Sequence, residues 1–402
     1  MLFSVFCSSC RPKPPAFDQR GPLLSKLEPS LWPEMADELD ADSLGRAIKA
    51  QLVWLEKKPQ YRWDLGLKTV NASQLSASLT RFWELFEEYG SNAATLNTML
   101  KQEFELYQFS WDGSNNILMT GYHAPVYEAS RTADSQYKYP LYALPSDLLT
   151  IDTGSFASSV LERAASSRRS SVPARLKNGK VLPYFSRKEI DADGALANRS
   201  LELVYLADYF QAFSFHVQGG GFVRLPDQQV MRLNYAGSNG QPYVSIGKLM
   251  VESGKISLED ISMQALASWF SEHAADMWEV CYQNPSYVFY TSDGKSYDAI
   301  TPELFPHGVL GFPVTTRRSI ATDKRYFPGG GLAYIRGHQR NDQGGSSPFG
   351  AFVLDQDTGG AIRENHIDWF LGAGSEAEHN AGLLKDDHGE VFFLLLKAIP
   401  SG

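Results

Sequence analysis

Cysteine is scarce: Cys7, Cys10 and Cys281 are all that the 402 residues contain. Three thiols cannot build a disulfide framework, so stability has to come from packing. Cys281, inside the apolar run "WEVCYQNPSYVF", reads as a buried filler. Cations are outnumbered too, 37 Lys and Arg against 46 Asp and Glu, for a net charge of −9. No basic stripe is left to displace counterions from a nucleic-acid backbone, which excludes that partner. The short "SSRRSS" cluster reads as a solvated loop. Nowhere do about 18 apolar residues run together, the length a membrane-spanning helix needs. The eight histidines fall at no ligand spacing and no His-Glu-x-x-His occurs, so no metal is expected. "PGGGLAY" has no Lys-Ser/Thr behind its glycines and makes no phosphate loop, and no cofactor is expected.

What is present is an ordinary globular composition, 43% hydrophobic and 21% charged, in a chain long enough for two domains. The N-terminus "MLFSVFCSSCRPKPPAFDQ" ends an apolar stretch in Ser8-Ser9-Cys10 and then becomes Pro-rich. That resembles the end of a lipoprotein signal, although Cys7 replaces the usual Leu, the apolar part is short and no basic segment precedes it, so no signal at all is the alternative. Cys10 is the expected lipidation site and residues 1–19 the expected tether. Three helical stripes follow. They carry Leu44, Ile48, Leu52 and Leu55 (start at Asp42, stop at Pro59), then Leu75, Leu79, Phe82 and Phe86 (closed by Gly90), then Leu96, Met99, Leu100 and Phe104.

From about Ile117 the period changes to short apolar or alternating runs of strand type, among them "ILMTGYHAPVY", "LELVYL", "FSFHVQGGGFVRL" and "VMRLNYAGSNGQPYVSIG". Asn239-Gly240 marks a turn. Helical spacing returns in "SLEDISMQALASWFSEHAADMW", with Ser257 and Asp260 resembling a capping box. The last hundred residues are strands again. The expected class is mixed α and β, mainly β.

Asp-Thr-Gly occurs twice, at Asp152 and at Asp357. An aspartic protease would bring both carboxylates together over one shared proton. The contexts differ, however, and no flap sequence is present, so that alternative ranks low. The second copy has the richer setting: Thr358, Gly359 and Gly360 follow Asp357, and Asp368 stands eleven residues on in "HIDWF". Two readings of an acid among Ile367, Trp369 and Phe370 stand open from the residues alone: partial desolvation, which would keep it protonated near neutrality as a general acid requires, or a strand-end Asp whose side chain faces solvent.

The ordered segments "TGYHAPVYEASRTADSQYKYPLY", "YFSRKEIDADGAL", "FHVQGGGFVRL", "NYAGSNGQPYVSIGKLM", "NPSYVFY", "RRSIATD", "LDQDTGGAI" and "IDWFLGAGSEAEHNAG" resemble the membrane-bound lytic murein transglycosylase A family with its three-aspartate domain. The resemblance implies a double-psi β-barrel built from residues 20–123, with the N-terminal helices, and 301–402. It also implies a β-rich insertion at 124–300 and a glycan groove between the two. The implied reaction cuts the β-1,4 bond between N-acetylmuramic acid and N-acetylglucosamine and leaves a 1,6-anhydromuramoyl end. Asp368 and Asp357 are the implied catalytic pair, Asp323 supports the site, and Asp152 is an accident of sequence. Thr120, Gly121, Tyr122, Gln218, Tyr235, Asn239, Tyr243 and Ser245 are implied sugar contacts, together with the Thr358-Gly359-Gly360 turn. The chain departs from the family in reading His123 for Tyr, three glycines at 219–221 for Gly-Ser-Gly, and Arg317 for Gly. Peptidoglycan strands are the implied partner, in the periplasm of a Gram-negative-type bacterium, with outer-membrane attachment through Cys10 and other cell-wall enzymes nearby. A non-catalytic glycan-binding protein on the same scaffold is the alternative.

Overall fold

The computed structural model describes residues 23–64, 69–152, 171–257, 261, 263–327 and 329–397. Cys10 and the tether lie outside these residues, as does Asp260 of the expected capping box. The three N-terminal helices form at Ala41–Glu56, Ala72–Tyr89 and Ala93–Glu103. Asp40, Asn71 and Asn92 cap them, each side chain accepting from the backbone N–H three residues on. The first cap is therefore Asp40 and not Asp42, which instead sits in the first turn, where a negative charge suits the helix dipole. The apolar stripes are buried as their spacing demands. Phe82 and Phe86 pack on Phe352 from the central strands, with ring centroids 4.8 and 6.1 Å away.

Those strands form a ring. Ile117–Ala124 lies parallel to His366–Ala373, which pairs antiparallel with Ser319–Ala321. Ser319–Ala321 runs parallel to Ser346–Asp357, whose other neighbour is Leu332–Arg340. Lys385–Leu396 pairs with Leu332–Arg340 on one edge and returns to Ile117–Ala124 on the other, so six strands close on themselves. Phe104–Ser110 and Leu23–Leu27 extend the sheet beyond the ring. Along His366–Ala373 the pleat sorts side chains by face: Ile367 and Trp369 are buried in the core, whereas His366 and Asp368 point the other way and stay partly open. Arg317, where the family favours glycine, has φ +53, a left-handed backbone that glycine adopts at no cost.

Between residues 125 and 300 the chain builds a six-stranded sheet and a three-stranded one, with apolar clusters of their own. Two expectations fail here. "FSFHV" is not a strand but part of the helix Tyr209–Gln218, capped by Asp208 and ended by Gly219 at φ +81. The helix is apolar all round because it is wedged between two clusters. Ala212 and Phe215 face one, while Tyr209, Phe210 and Phe213 face the other, so no amphipathic period shows. "SIGKLM" likewise enters a helix, Ile246–Glu252, with Ser245 as its cap. Cys281 is buried, and burial pushes its thiol up to about 12, in keeping with an inert filler.

Candidate active site

Asp368 sits in the middle of its strand with Thr120 beside it in parallel register and Ala321 on the other side. The Thr120 hydroxyl is 2.7 Å from Asp368 Oδ1 and 2.8 Å from His366 Nε2. Tyr122, two residues along from Thr120 and so on the same face, donates its phenol proton to Asp357 Oδ2 at 2.8 Å. The backbone N–H groups of Thr358 and Val309 donate to Asp357 Oδ1 at 2.8 and 3.1 Å. A single strand thus ties down both acids through alternate residues. Gly121 between them has no room for a side chain: a Cβ would lie 2.7 Å from Leu371 Cδ1 and 3.0 Å from Ala381 Cα.

Burial pushes the Asp368 carboxyl up to about 7, and the negative charge of Asp357 adds to the effect while the Thr120 hydroxyl opposes it. Burial raises Asp357 as well, against the pull of its Thr358, Tyr122 and Val309 donors. Three donors onto one carboxyl suit its ionised form, whereas Asp368 has no such set. Folding thus gives the two acids different surroundings, one hydroxyl donor at Asp368 and three donors at Asp357.

Both line a cavity of about 380 Å³, a size that accommodates small ligands or a segment of a longer one. Thr120, Gly121, Tyr122, Thr358, Gly359 and Gly360 form one wall; Gln218, Tyr243 and Ser245 reach it from the 125–300 segment. Gln218 accepts the His123 backbone N–H at 3.2 Å, which pins the helix end to the ring. Two expected sugar contacts are elsewhere. Tyr235 is 55% exposed on a strand outside the cavity wall. Asn239 is buried, its amide donating to the carbonyls of Phe185 and Pro285 and accepting from Tyr287 N–H, so all its capacity goes into closing a loop. Asp323 is also off the wall. Burial works against its charged form, but Arg325 and the Glu364 backbone N–H hold it low, and it braces the turn leading to His366. Asp152 ends an exposed strand of the small sheet and does not line the cavity, so no shared-proton pair with Asp357 exists.

Sequence reading missed several residues. Asp355 is fully buried, raised to about 6 by burial, and held by Lys324 and Thr322. Glu378, inside the "IDWFLGAGSEAEHNAG" segment but not singled out there, and Lys385 also line the cavity. His366 was findable: it stands two residues before Asp368, and on a strand that is the same face.

The chain matches the MltA specific insert domain over residues 118–291 and the 3D domain over residues 318–395. It is 31% identical over 289 residues to the membrane-bound lytic murein transglycosylase A of Escherichia coli K12, covering 70% of this chain and 67% of that one. The Vibrio cholerae enzyme of the same name is 32% identical over 296 residues, covering 72% and 68%. The crystal structure of a membrane-bound lytic murein transglycosylase from Agrobacterium tumefaciens superposes with a TM-score of 0.68 at 24% identity, covering 90% of this chain and 97% of that one. For E. coli MltA with bound chitohexaose the TM-score is 0.65 at 24% identity, covering 94% and 95%. The fold is shared, both halves of the cavity wall fall within the matched domains, and the chain belongs to the membrane-bound lytic murein transglycosylase A family of peptidoglycan-cleaving lytic transglycosylases.

Proposed function

We propose that Asp368 alone carries both proton transfers of the lytic reaction, with Asp357 as its electrostatic and structural neighbour. Asp368 protonates the departing glycosidic oxygen between N-acetylmuramic acid and N-acetylglucosamine as positive charge grows at the muramoyl C1. The resulting carboxylate then takes the proton of the same sugar's C6 hydroxyl, whose oxygen closes on C1 to give the 1,6-anhydro ring. The observation that carries this reading is the division between the acids. Asp368 is held protonated near neutrality, while both oxygens of Asp357 are committed to donors, so this paired aspartate is not free to serve as the nucleophile that a retaining hydrolase would need.

Thr120, Tyr122, Gln218, Tyr243, Ser245 and the Thr358-Gly359-Gly360 turn position the glycan. Their place on the cavity wall and the chitohexaose bound by the E. coli relative support this. Residues 20–123 and 301–402 make one unit and 124–300 the other. The largest apolar cluster draws its members from 24–119 and 320–395, while separate clusters occupy 127–290. The closed ring of six strands supports the double-psi β-barrel reading. Among the described residues no helix is long and apolar enough to cross a membrane; the membrane-bound relatives support attachment through a lipidated Cys10 and action on the periplasmic wall.

Purified protein incubated with murein sacculi should release muropeptides lacking one water relative to hydrolytic products, as read by mass spectrometry. Reducing ends that have gained water would overturn the reading. Because the acid must start protonated, initial rates should hold below about pH 6 and fall as pH rises through about 7. A pH–rate profile on soluble glycan strands checks this, provided the protein is shown to stay folded throughout.

A further inference from the structure

His366 faces the cavity side of its strand: Nε2 lies 2.8 Å from the Thr120 hydroxyl, and the Ala361 backbone bonds the ring as well. With Nε2 turned to Thr120, Nδ1 is the nitrogen left to donate to the Ala361 carbonyl. Burial holds the imidazole down to about 4, so near neutrality it carries a single proton. That proton being committed to Ala361, Nε2 is an acceptor. The Thr120 hydroxyl has one proton to give, and two acceptors compete for it: Nε2 at 2.8 Å and Asp368 Oδ1 at 2.7 Å.

We propose that His366 is a positioning residue that draws the Thr120 hydroxyl proton onto Nε2, leaving a Thr120 lone pair facing Asp368 and so keeping the Asp368 carboxyl in its acid form. The resting chain runs from the Asp368 O–H to Thr120 Oγ1, from the Thr120 O–H to His366 Nε2, and from Nδ1–H to the Ala361 carbonyl. When Asp368 gives its proton to the leaving glycosidic oxygen, Thr120 rotates its hydroxyl proton from Nε2 onto the new carboxylate. When the C6 hydroxyl returns a proton to Asp368, Thr120 turns back. No net charge is moved onto His366 in either half. The inference rests on the reading of Asp368 as the acid.

The other ionisable groups around Asp368 are Asp357 at the end of the Ser346–Asp357 strand, Tyr122 on the Thr120 strand, and Tyr243 from the 125–300 segment. Lys385 stands opposite Thr120 on the next strand. Among the described residues, the partners the structure gives the Thr120 hydroxyl are His366 and Asp368, and the competition runs between them.

The test follows the Asp368 carboxyl by 13C NMR in protein labelled at aspartate, assigned by loss of its signal in Asp368→Asn. His366→Ala frees the Thr120 proton for the carboxylate, and the Asp368 titration should move down by about one unit. His366→Gln, whose carboxamide oxygen restores an acceptor, should recover most of that shift. In a Thr120→Val background His366→Ala should move nothing, since the two act through the same hydroxyl. The 15N shifts of His366 in the unaltered protein should show Nδ1 protonated and Nε2 bare at pH 7, a measurement that needs no variant to fold. A protonated Nε2, an unmoved Asp368 titration in His366→Ala, or a shift that persists without the Thr120 hydroxyl would each overturn the proposal. These readouts use no substrate. Titrations that behave as expected in a protein whose Asp368→Asn variant still releases anhydromuropeptides would therefore sink the catalytic reading and leave the His366 role standing.

Discussion

An Asp368→Asn enzyme is expected to release anhydromuropeptides from sacculi about a thousandfold more slowly than the parent, or worse. Removal of one general acid–base group costs roughly two to four orders of magnitude, and here the same carboxyl serves both halves of the reaction. Asparagine fills the same volume and keeps one oxygen beside Thr120, so the loss reports chemistry and not a collapsed groove. A second readout has the opposite sign. The folded protein holds Asp368 at about 7 against an ordinary value near 3.8. A carboxyl raised on folding contributes its stability below its unfolded value, and loses it as pH rises through the folded one. Above pH 7 the native protein therefore carries a desolvated charge that Asn lacks. The variant should gain on the order of 2 kcal/mol at pH 8, discounted for the open side of the groove, and nothing at pH 3. Urea unfolding at the two pH values checks it. A variant that is slow but no more stable at pH 8 would mean that Asp368 is not strained by burial. Asp357→Asn should behave differently: its three donors are lost or weakened, the 309 and 358 backbones loosen, and the enzyme should be both slower and less stable.

The largest stability loss outside the active site should come from Arg318→Ala. Arg318 is fully buried, and its guanidinium holds the N-terminal segment to the ring. Nη1 donates to Asp37 Oδ2 at 2.5 Å and to the Phe352 carbonyl at 2.9 Å, Nη2 to the Asp40 carbonyl at 2.9 Å, and Nε to Ser43 Oγ at 3.0 Å. Asp37 also accepts the Phe352 backbone N–H at 2.8 Å. Removing the cation leaves a buried carboxylate with no counter-charge, which costs roughly 3–5 kcal/mol. The double change Arg318→Met with Asp37→Leu should recover much of that, because the cost lies in the stranded partner more than in the bond. A lowered urea midpoint in the single variant and partial recovery in the double one are the expected results. A single variant within 1 kcal/mol of the parent would rule out the clamp. Activity should fall with the single change as well, since Arg318 stands three residues before Ala321, the neighbour of Asp368 across the sheet.

How far the sequence could be read depended on whether a local pattern had a local cause. The three N-terminal helices were legible because each is amphipathic, with a polar cap before it, and both signals are set by neighbours within one turn. The helix Tyr209–Gln218 was not, because two separate clusters bury it on all sides and erase the period that marks a helix. Among site residues, the run "HIDWF" alone left Asp368 open between a desolvated acid and a solvent-facing strand residue, and it was the ordered family segments around it that marked it. Asn239 and Tyr235 looked like ligands by their place in a shared motif. Only the packing around them shows one closing a loop and the other standing outside the cavity.

The order of segments and the strand alternation around Asp368 were thus written into the sequence itself, because pleating leaves a period-two mark on adjacent residues. Which groups Asp368 would meet was a matter for tertiary structure alone. Thr120 lies 248 positions away and reaches its carboxyl only because two strands distant in the chain run parallel in register. The division of labour between Asp357 and Asp368 has the same origin. Both are aspartates behind apolar runs, and what separates them is the number of donors that folding brings to each.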